Sequence, residues 1–402
     1  MHTIEDYRKI VGDDIIYSIH KKASRLYGKS ILHANSTQYG GGVAEILTSL
    51  LPLMNDVGLE ADWRILRGTP DFFTITKKFH NALQGDSINF TDLKKQIYIQ
   101  NNEDFSSYCR IDEDFVVIHD NQPLPLIRLE KKRQPWIWRC HVDFSNPNKE
   151  LVDFLKDFIL RYDLMIVSSE KYLNKEIPID YKIIPPAIDP LTPKNKELPQ
   201  EVISKYLKKS DIPTDKPIIT QISRFDKWKD PEGVIDVFKL VKKELDCRLI
   251  LCGSMATDDP EGTIILEKIR KKAQELIDKK DVILITSQNN ILVNILQRIS
   301  NVIIQKSIKE GFGLTVTEAL WKEKPVVGSD VGGIPLQIKD GENGFLLDPF
   351  DEKGFADRIL QLLQDADLSK RFGEKSKKIV IDNFLITRLM IDYLDLFNNI
   401  SP

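Results

Sequence analysis

The sequence predicts an α/β protein made of two doubly wound Rossmann-like domains in tandem. Apolar runs of strand length alternate with amphipathic stretches of helix length, the pattern of a parallel sheet covered on both faces. The alternation breaks at Pro-Ala-Ile-Asp-Pro-Leu-Thr-Pro-Lys-Asn over 186–195 and then restarts. With 402 residues, 42% of them hydrophobic, the chain is long enough to bury two such cores.

In the first half, strands are expected at 29–33, 62–66, 114–119, 135–141, 164–168 and 182–185, with helices that include 44–57 and 149–161. A domain boundary is expected within 188–214, where proline and polar residues dominate. The second half reads strand 217–222, helix 232–244, strand 247–252, helix 263–279 and strand 282–286. It continues with helix 291–299, strand 302–305, helix 315–321, strand 325–329 and helix 354–364. The amphipathic stretch 386–397 has no strand after it and is expected to return to the first domain. This gives a first domain over 1–190 with a returning helix over about 385–402, and a second over 191–384. Ligands of such sheets bind beyond the carboxyl ends of the strands, so both sheets are expected to face one deep cleft.

Composition excludes several function classes. A formal charge of −3 gives no global attraction to nucleic acid or to anionic lipid, and neither is expected as a partner. Cys109, Cys140, Cys247 and Cys252 are scattered without a Cys-x-x-Cys pair and read as reduced core thiols. Met1 is followed by polar and acidic residues, and no run approaches the roughly 20 apolar residues of a membrane span, so a cytoplasmic location is expected. The sequence leaves room for a homodimer without specifying one.

The segment 310–318, Glu-Gly-Phe-Gly-Leu-Thr-Val-Thr-Glu, places a carboxylate at each end of a turn that enters a helix. Eight helical steps separate the two backbone positions by about 12 Å, too far for the roughly 5 Å pair of a retaining glycosidase. Glu310 and Glu318 therefore read as gripping two parts of one long ligand. Phe312, Gly313, Leu314 and Thr315 lie between them, where free N–H groups and the helix dipole suit a diphosphate. A nucleotide-sugar has this order of hydroxyls, phosphates and hydroxyls. The competing reading is a surface turn with a capping carboxylate.

Other candidates end strands. Ser223-Arg224-Phe225-Asp226-Lys227-Trp228-Lys229 follows 217–222, and Arg224 and Lys229 suit two phosphates and a leaving diphosphate, while Lys227 reads as solvent-facing. Gly41 and Gly42, after the first strand, suit an anion at a helix N-terminus; no dinucleotide or P-loop spacing is present. Gly253 and Ser254 suit close backbone approach, and Asn289, in the polar stretch 286–290, suits a base edge. In the first domain His141, Arg139, Asp143 and Asp120 close two strands, whereas His33 reads as structural. Asp258-Asp259 lacks the spacing of a metal-binding Asp-x-Asp motif, so no metal ligand is assigned; Mg2+ beside a diphosphate would have no dedicated protein ligand.

Together the Glu310 to Glu318 spacing, the 223–230 loop, the triple glycine and Gly332-Gly333-Ile334 resemble retaining glycosyltransferases of the GT-B fold, family 4. Trp138-Arg139-Cys140-His141-Val142-Asp143, residues 119–125, 185–190 and 318–322 look like the trehalose synthase and trehalose phosphorylase branch. The resemblance implies reversible transfer of glucose from a nucleoside-diphosphate glucose, UDP- or ADP-linked, to glucose, giving α,α-trehalose with retention and no tightly bound cofactor. It implies Glu310 at the donor glucose, Glu318 at the ribose, and Arg224, Lys229, Gly41, Gly42 and the 312–315 amides at the diphosphate. It also implies His141 near the reacting carbon and Arg139, Asp143 and Asp120 on the acceptor side. A phosphorylase using orthophosphate, and a non-catalytic nucleotide-sugar binding protein, remain open alternatives.

Overall fold

The computed structural model describes residues 2–38, 41–253, 260–287 and 289–400. The chain separates into two compact units, Met1–Ala187 with Ile386–Pro402, and Ile188–Leu385. In the first unit, β1 (Ser30–Asn35), β2 (Glu60–Ile65), β3 (Phe115–His119), β4 (Trp136–Arg139), β5 (Leu164–Val167) and β6 (Tyr181–Ile183) pair in parallel in the order β2-β1-β3-β4-β5-β6. β3 and β4 are buried along their whole length, as strands covered on both faces must be. The register sets His33 opposite Val117 and His119 opposite Arg139, so the polar residues of β1, β3 and β4 gather at their carboxyl ends.

Two long helices of this unit, Pro70–Leu83 and Asp92–Tyr108, have no counterpart among the expected elements. The first carries clear signals: Thr69 caps it by accepting from the Phe72 N–H at 3.2 Å, Pro70 opens it, and Phe72, Ile75, Phe79 and Leu83 recur on its buried face. The second is polar on most sides and buries only Tyr98, Asn102 and Phe105, which leaves little periodicity to read.

In the second unit, β7 (Ile218–Ile222), β8 (Arg248–Cys252), β9 (Val282–Ile285), β10 (Val302–Gln305), β11 (Val326–Ser329) and β12 (Gly344–Leu347) form a parallel sheet in the order β12-β11-β10-β7-β8-β9. The strand direction of travel reverses between β7 and β10, which makes their carboxyl ends the topological switch point where ligands of open α/β sheets bind. Helices Pro231–Glu244, Asn290–Ile299, Leu314–Trp321 and Glu352–Gln364 fall where the alternation placed them. Gln200–Lys209, inside the stretch read as linker, is instead a helix; it has no fully buried residue, which is why its pattern did not stand out. β12 and the helix Ala366–Asn383 also lie beyond the expected elements.

The helix Ile386–Ile400 packs within the first unit against Asp13–Ala23 and Gly42–Asp56. Its Phe397 ring lies 4.9 Å from Phe115 at the start of β3, and Tyr393 sits edge-on to His33 at 5.7 Å. Arg388 donates to the carbonyls of Pro185 and Pro186 at 2.8 and 3.0 Å, and Lys22 pairs with Asp395. The C-terminus is thereby part of the core that holds β1 and β3. Phe397→Ala, at a fully buried ring, is expected to cost about 3–5 kcal/mol in denaturant unfolding. A loss under about 1 kcal/mol would show that this helix does not support the sheet.

Candidate active site

The loops after β7 and β10 are stitched together at the switch point. Gln221, next to the carboxyl end of the buried strand β7, donates from Nε2 to the Lys229 carbonyl at 2.9 Å and accepts the Lys306 N–H at 3.1 Å. Ile308 N–H donates to the Trp228 carbonyl at 2.7 Å. Asp226 accepts from the N–H groups of Trp228 and Lys229, and Asp230, in the left-handed region at φ 43°, caps the helix Pro231–Glu244 and pairs with buried Lys306. These contacts fix the backbone on both sides of Lys229.

Lys229 Nζ consequently meets Glu310 Oε2 at 2.7 Å, with only 14% and 11% of the two side chains exposed. Ser307 Oγ donates to the same carboxylate oxygen at 3.2 Å and Gln305 Nε2 at 3.5 Å. Arg224 is half exposed and lies 3.4 Å from Asp226. Trp228 is flanked by Lys227 and Lys309 at 4.4 and 4.6 Å from its ring, so the loop carries more positive charge than Arg224 and Lys229 alone.

Gly313, at φ 84°, is the N-cap of Leu314–Trp321, a conformation that favours glycine. Phe312 is buried against Phe384 and its carbonyl accepts from Gln337 at 2.6 Å, while Thr315 Oγ1 donates to Gln305 at 3.2 Å. The helix opens at Gly313, so its N-terminal end lies in the loop that follows β10. Glu318 lies one turn deeper, 1% exposed, with Lys194 Nζ at 2.8 Å and Gln297 Nε2 at 3.4 Å. Behind it Lys322 donates to Asn195, Gln297 and the Glu318 carbonyl, and burial lowers it to about 7.

Gly253 ends β8, but a side chain there would meet the Ser223 carbonyl at 2.2 Å; loop packing within the protein is enough to require glycine. Asn289 caps Asn290–Ile299 by accepting the Leu292 N–H at 3.0 Å, so its carbonyl is already engaged. Ser254 and Asp258-Asp259 lie outside the described residues, and Gly41 and Gly42 open the helix Gly42–Asp56 after β1.

In the first unit the structure joins three histidines. His33 Nδ1 faces His119 Nε2 at 2.9 Å, and His119 Nδ1 faces His141 Nε2 at 2.9 Å, with neighbouring rings stacked at 5.2 Å. His33, fully buried in β1, is thus the inner member of the cluster. Asp120, at φ 60°, accepts the His141 N–H at 2.9 Å, and burial pushes its carboxyl up to about 6. Arg139 is 2% exposed and donates to the Val167 carbonyl at 3.4 Å; burial lowers its pKa. Asp143 is taken up locally, accepting from the N–H and hydroxyl of Ser145. The four cysteines are free and buried.

With this geometry, comparison with known proteins is decisive. Residues 33–174 match the model of the trehalose synthase N-terminal domain, and 202–379 match glycosyl transferases group 1. Trehalose synthase of Thermococcus litoralis is 47% identical over 98% of this chain and 97% of its own length. The chain belongs to the trehalose synthase family.

The enzyme is therefore a trehalose-related glycosyltransferase, a hexosyltransferase. Trehalose synthase of Pyrococcus horikoshii is 45% identical over 99% of this chain and 96% of its own length, whereas trehalose phosphorylase of Grifola frondosa is 29% identical and covered over 58% of its length. An α,α-trehalose 6-phosphate synthase from Burkholderia multivorans, 14% identical, superposes with a TM-score of 0.73 over 93% of this chain and all of its own. That likeness concerns the fold alone: GT-B, built of two Rossmann-like domains.

Sequence reasoning passed over Gln221, Gln305, Lys306, Gln297 and Lys194, all of which position the charged groups. The signal for Gln221 and Gln305 was present in the strands: a glutamine near the carboxyl end of Ile-Ile-Thr-Gln-Ile and of Val-Ile-Ile-Gln is a costly residue in a buried parallel strand unless it is used.

Burial pushes His33 down to about 3 and lowers His119 and His141 well below the usual range, with Arg139 adding to the effect on the last two. Their folded-state values are depressed, so stability is whole above about pH 6.5 and is lost as pH falls, at about 1.4 kcal/mol per unit for His33 alone. Asp120, raised to about 6, acts in the opposite sense from about pH 6 down to its ordinary value of 3.8 and offsets part of that loss. Thermal melts from pH 7.5 to pH 5 should show a falling midpoint that His33→Asn makes shallower. A midpoint unchanged over that range would mean the row is not held neutral.

Proposed function

We propose that the enzyme transfers glucose reversibly, with retention, from a nucleoside-diphosphate glucose to glucose, forming α,α-trehalose. The observation that carries this reading is the Lys229–Glu310 pair at the switch point, an anion-binding group and a hydroxyl-binding group held side by side. A diphosphate takes Lys229 and Arg224, with the helix N-terminus at Gly313 to Thr315 and the Gly41-Gly42 turn contributing N–H groups. Glucose hydroxyls take Glu310. Ribose hydroxyls take Glu318, which requires Lys194 to share or yield the carboxylate.

In the reaction the bond from C1 to the diphosphate oxygen breaks, and a bond from C1 to the acceptor hydroxyl forms on the same face. The acceptor proton passes to the departing diphosphate oxygen, so no protein nucleophile is needed. Arg224, Lys229 and the helix dipole stabilise the charge that grows on the leaving group. His141 contacts the donor sugar near C1, and Arg139, Asp120 and Asp143 serve the acceptor glucose. Nothing in this scheme calls for a tightly bound cofactor.

Incubation of trehalose with UDP or ADP in the absence of phosphate should yield sugar nucleotide and free glucose. Glucose 1-phosphate formed only when orthophosphate is supplied would replace the synthase with a phosphorylase. Arg224→Ala and Lys229→Ala should each lose about 2–4 kcal/mol of transition-state stabilisation, read from kcat/KM. An unchanged kcat in both would remove these side chains from the mechanism.

A further inference from the structure

The three histidines form a chain with two ends. At one end His33 Nε2 is fully buried and has no hydrogen-bond partner among the described residues. At the other, His141 is the partly exposed member, and with Nε2 bound to His119 its remaining polar atom is Nδ1. Two links of 2.9 Å between ring nitrogens each need one proton, and a neutral imidazole has one to give. The row therefore has two polarities, in which every ring switches tautomer together.

We propose that His33 and His119 are positioning residues that fix His141 as the tautomer protonated on Nδ1, so that it donates a hydrogen bond to a sugar oxygen. The inference rests on the reading of His141 as a donor-sugar contact. The polarity follows from the buried end. If His33 carries its proton on Nδ1, it donates to His119, which donates to His141, and His141 is left with an N–H on Nδ1. The reverse polarity would strand an N–H at His33 Nε2 in the core, and orphaned buried donors are rarer than under-used acceptors.

The surroundings keep the row neutral and aligned. Arg139 lies close enough to disfavour protonation of His119 and His141, and His80 acts in the same sense on His141. Tyr393 closes over His33, and Asp120 holds the backbone N–H of His141 at 2.9 Å without touching its ring. A donor aimed at a sugar oxygen fixes the pose of the sugar ring, and with it the alignment of C1 between the leaving diphosphate and the acceptor hydroxyl, so the wrong tautomer costs rate more than binding.

The test combines imidazole 15N shifts of the full chain with kinetics of His33→Leu and His33→Asn. In the unsubstituted enzyme the His141 shifts should report a proton on Nδ1. Leucine removes the terminal donor; the His141 signals should move toward a mixture and kcat should fall about tenfold or more at nearly constant KM for trehalose and nucleotide. Asparagine places an amide donor near the position of Nδ1 and should restore both the shifts and most of kcat. Unchanged His141 shifts in His33→Leu overturn the proposal even if activity falls, and changed shifts with unchanged kcat overturn it as well. Failure of the unsubstituted enzyme to make sugar nucleotide would defeat the donor assignment instead, and the 15N result would still decide whether the row sets the tautomer.

Discussion

The ion pair between Lys229 and Glu310 is the constraint around which the second unit is organised. Two opposite charges, each mostly shielded from water, are costly to keep apart and costly to leave singly. Everything near them serves to hold that geometry: Gln221 ties both loops to β7, Lys306 and Asp230 brace the helix start, and Ser307 and Gln305 load the carboxylate from behind. A ligand that takes only one partner leaves the other charge without compensation. A ligand bearing a phosphate and an adjacent polyol would satisfy both, which is the two-part shape that the proposed function assigns to the donor.

A different strategy operates in the first unit. Its polar residues at the ends of β1, β3 and β4 are three histidines whose protonation burial disfavours, a carboxyl raised toward neutrality and a buried guanidinium. Under the proposed function, such a set of neutral groups suits hydroxyls through aimed donors and acceptors and offers little to a bare anion. The C-terminal helix, through Tyr393 and Phe397, is part of what keeps these strands in place. Function and stability are coupled at this end of the chain.

Much of this was legible in the residues. Alternation of buried strands and amphipathic helices is strong in the second half, where β7 to β11 and the helices between them follow the expected runs within three residues of their ends. Glu310, Lys229 and Arg224 announced themselves as charges at strand ends. What stayed hidden depended on tertiary contact. Gln200–Lys209 and Asp92–Tyr108 bury too little to show a period. The pairing of His33 with His119 stayed hidden because the two are 86 positions apart, and nothing in the local pattern shows that two strand ends bring the rings to 2.9 Å. At Asn289 and Gly253, capping and loop packing favour the same residue types as binding does, so sequence alone does not separate the two roles.

The proposed function divides the pair, with Glu310 holding the sugar while Lys229 holds phosphate. Calorimetric titration of Glu310→Gln with a nucleoside diphosphate and with the matching nucleoside-diphosphate glucose separates the two roles. Losing the carboxylate charge should weaken binding of the sugar nucleotide by about tenfold or more, equivalent to about 1.4 kcal/mol, and leave the diphosphate alone bound as well as before or better. An equal loss for both ligands would place Glu310 with the nucleotide and contradict the division of labour in the pair.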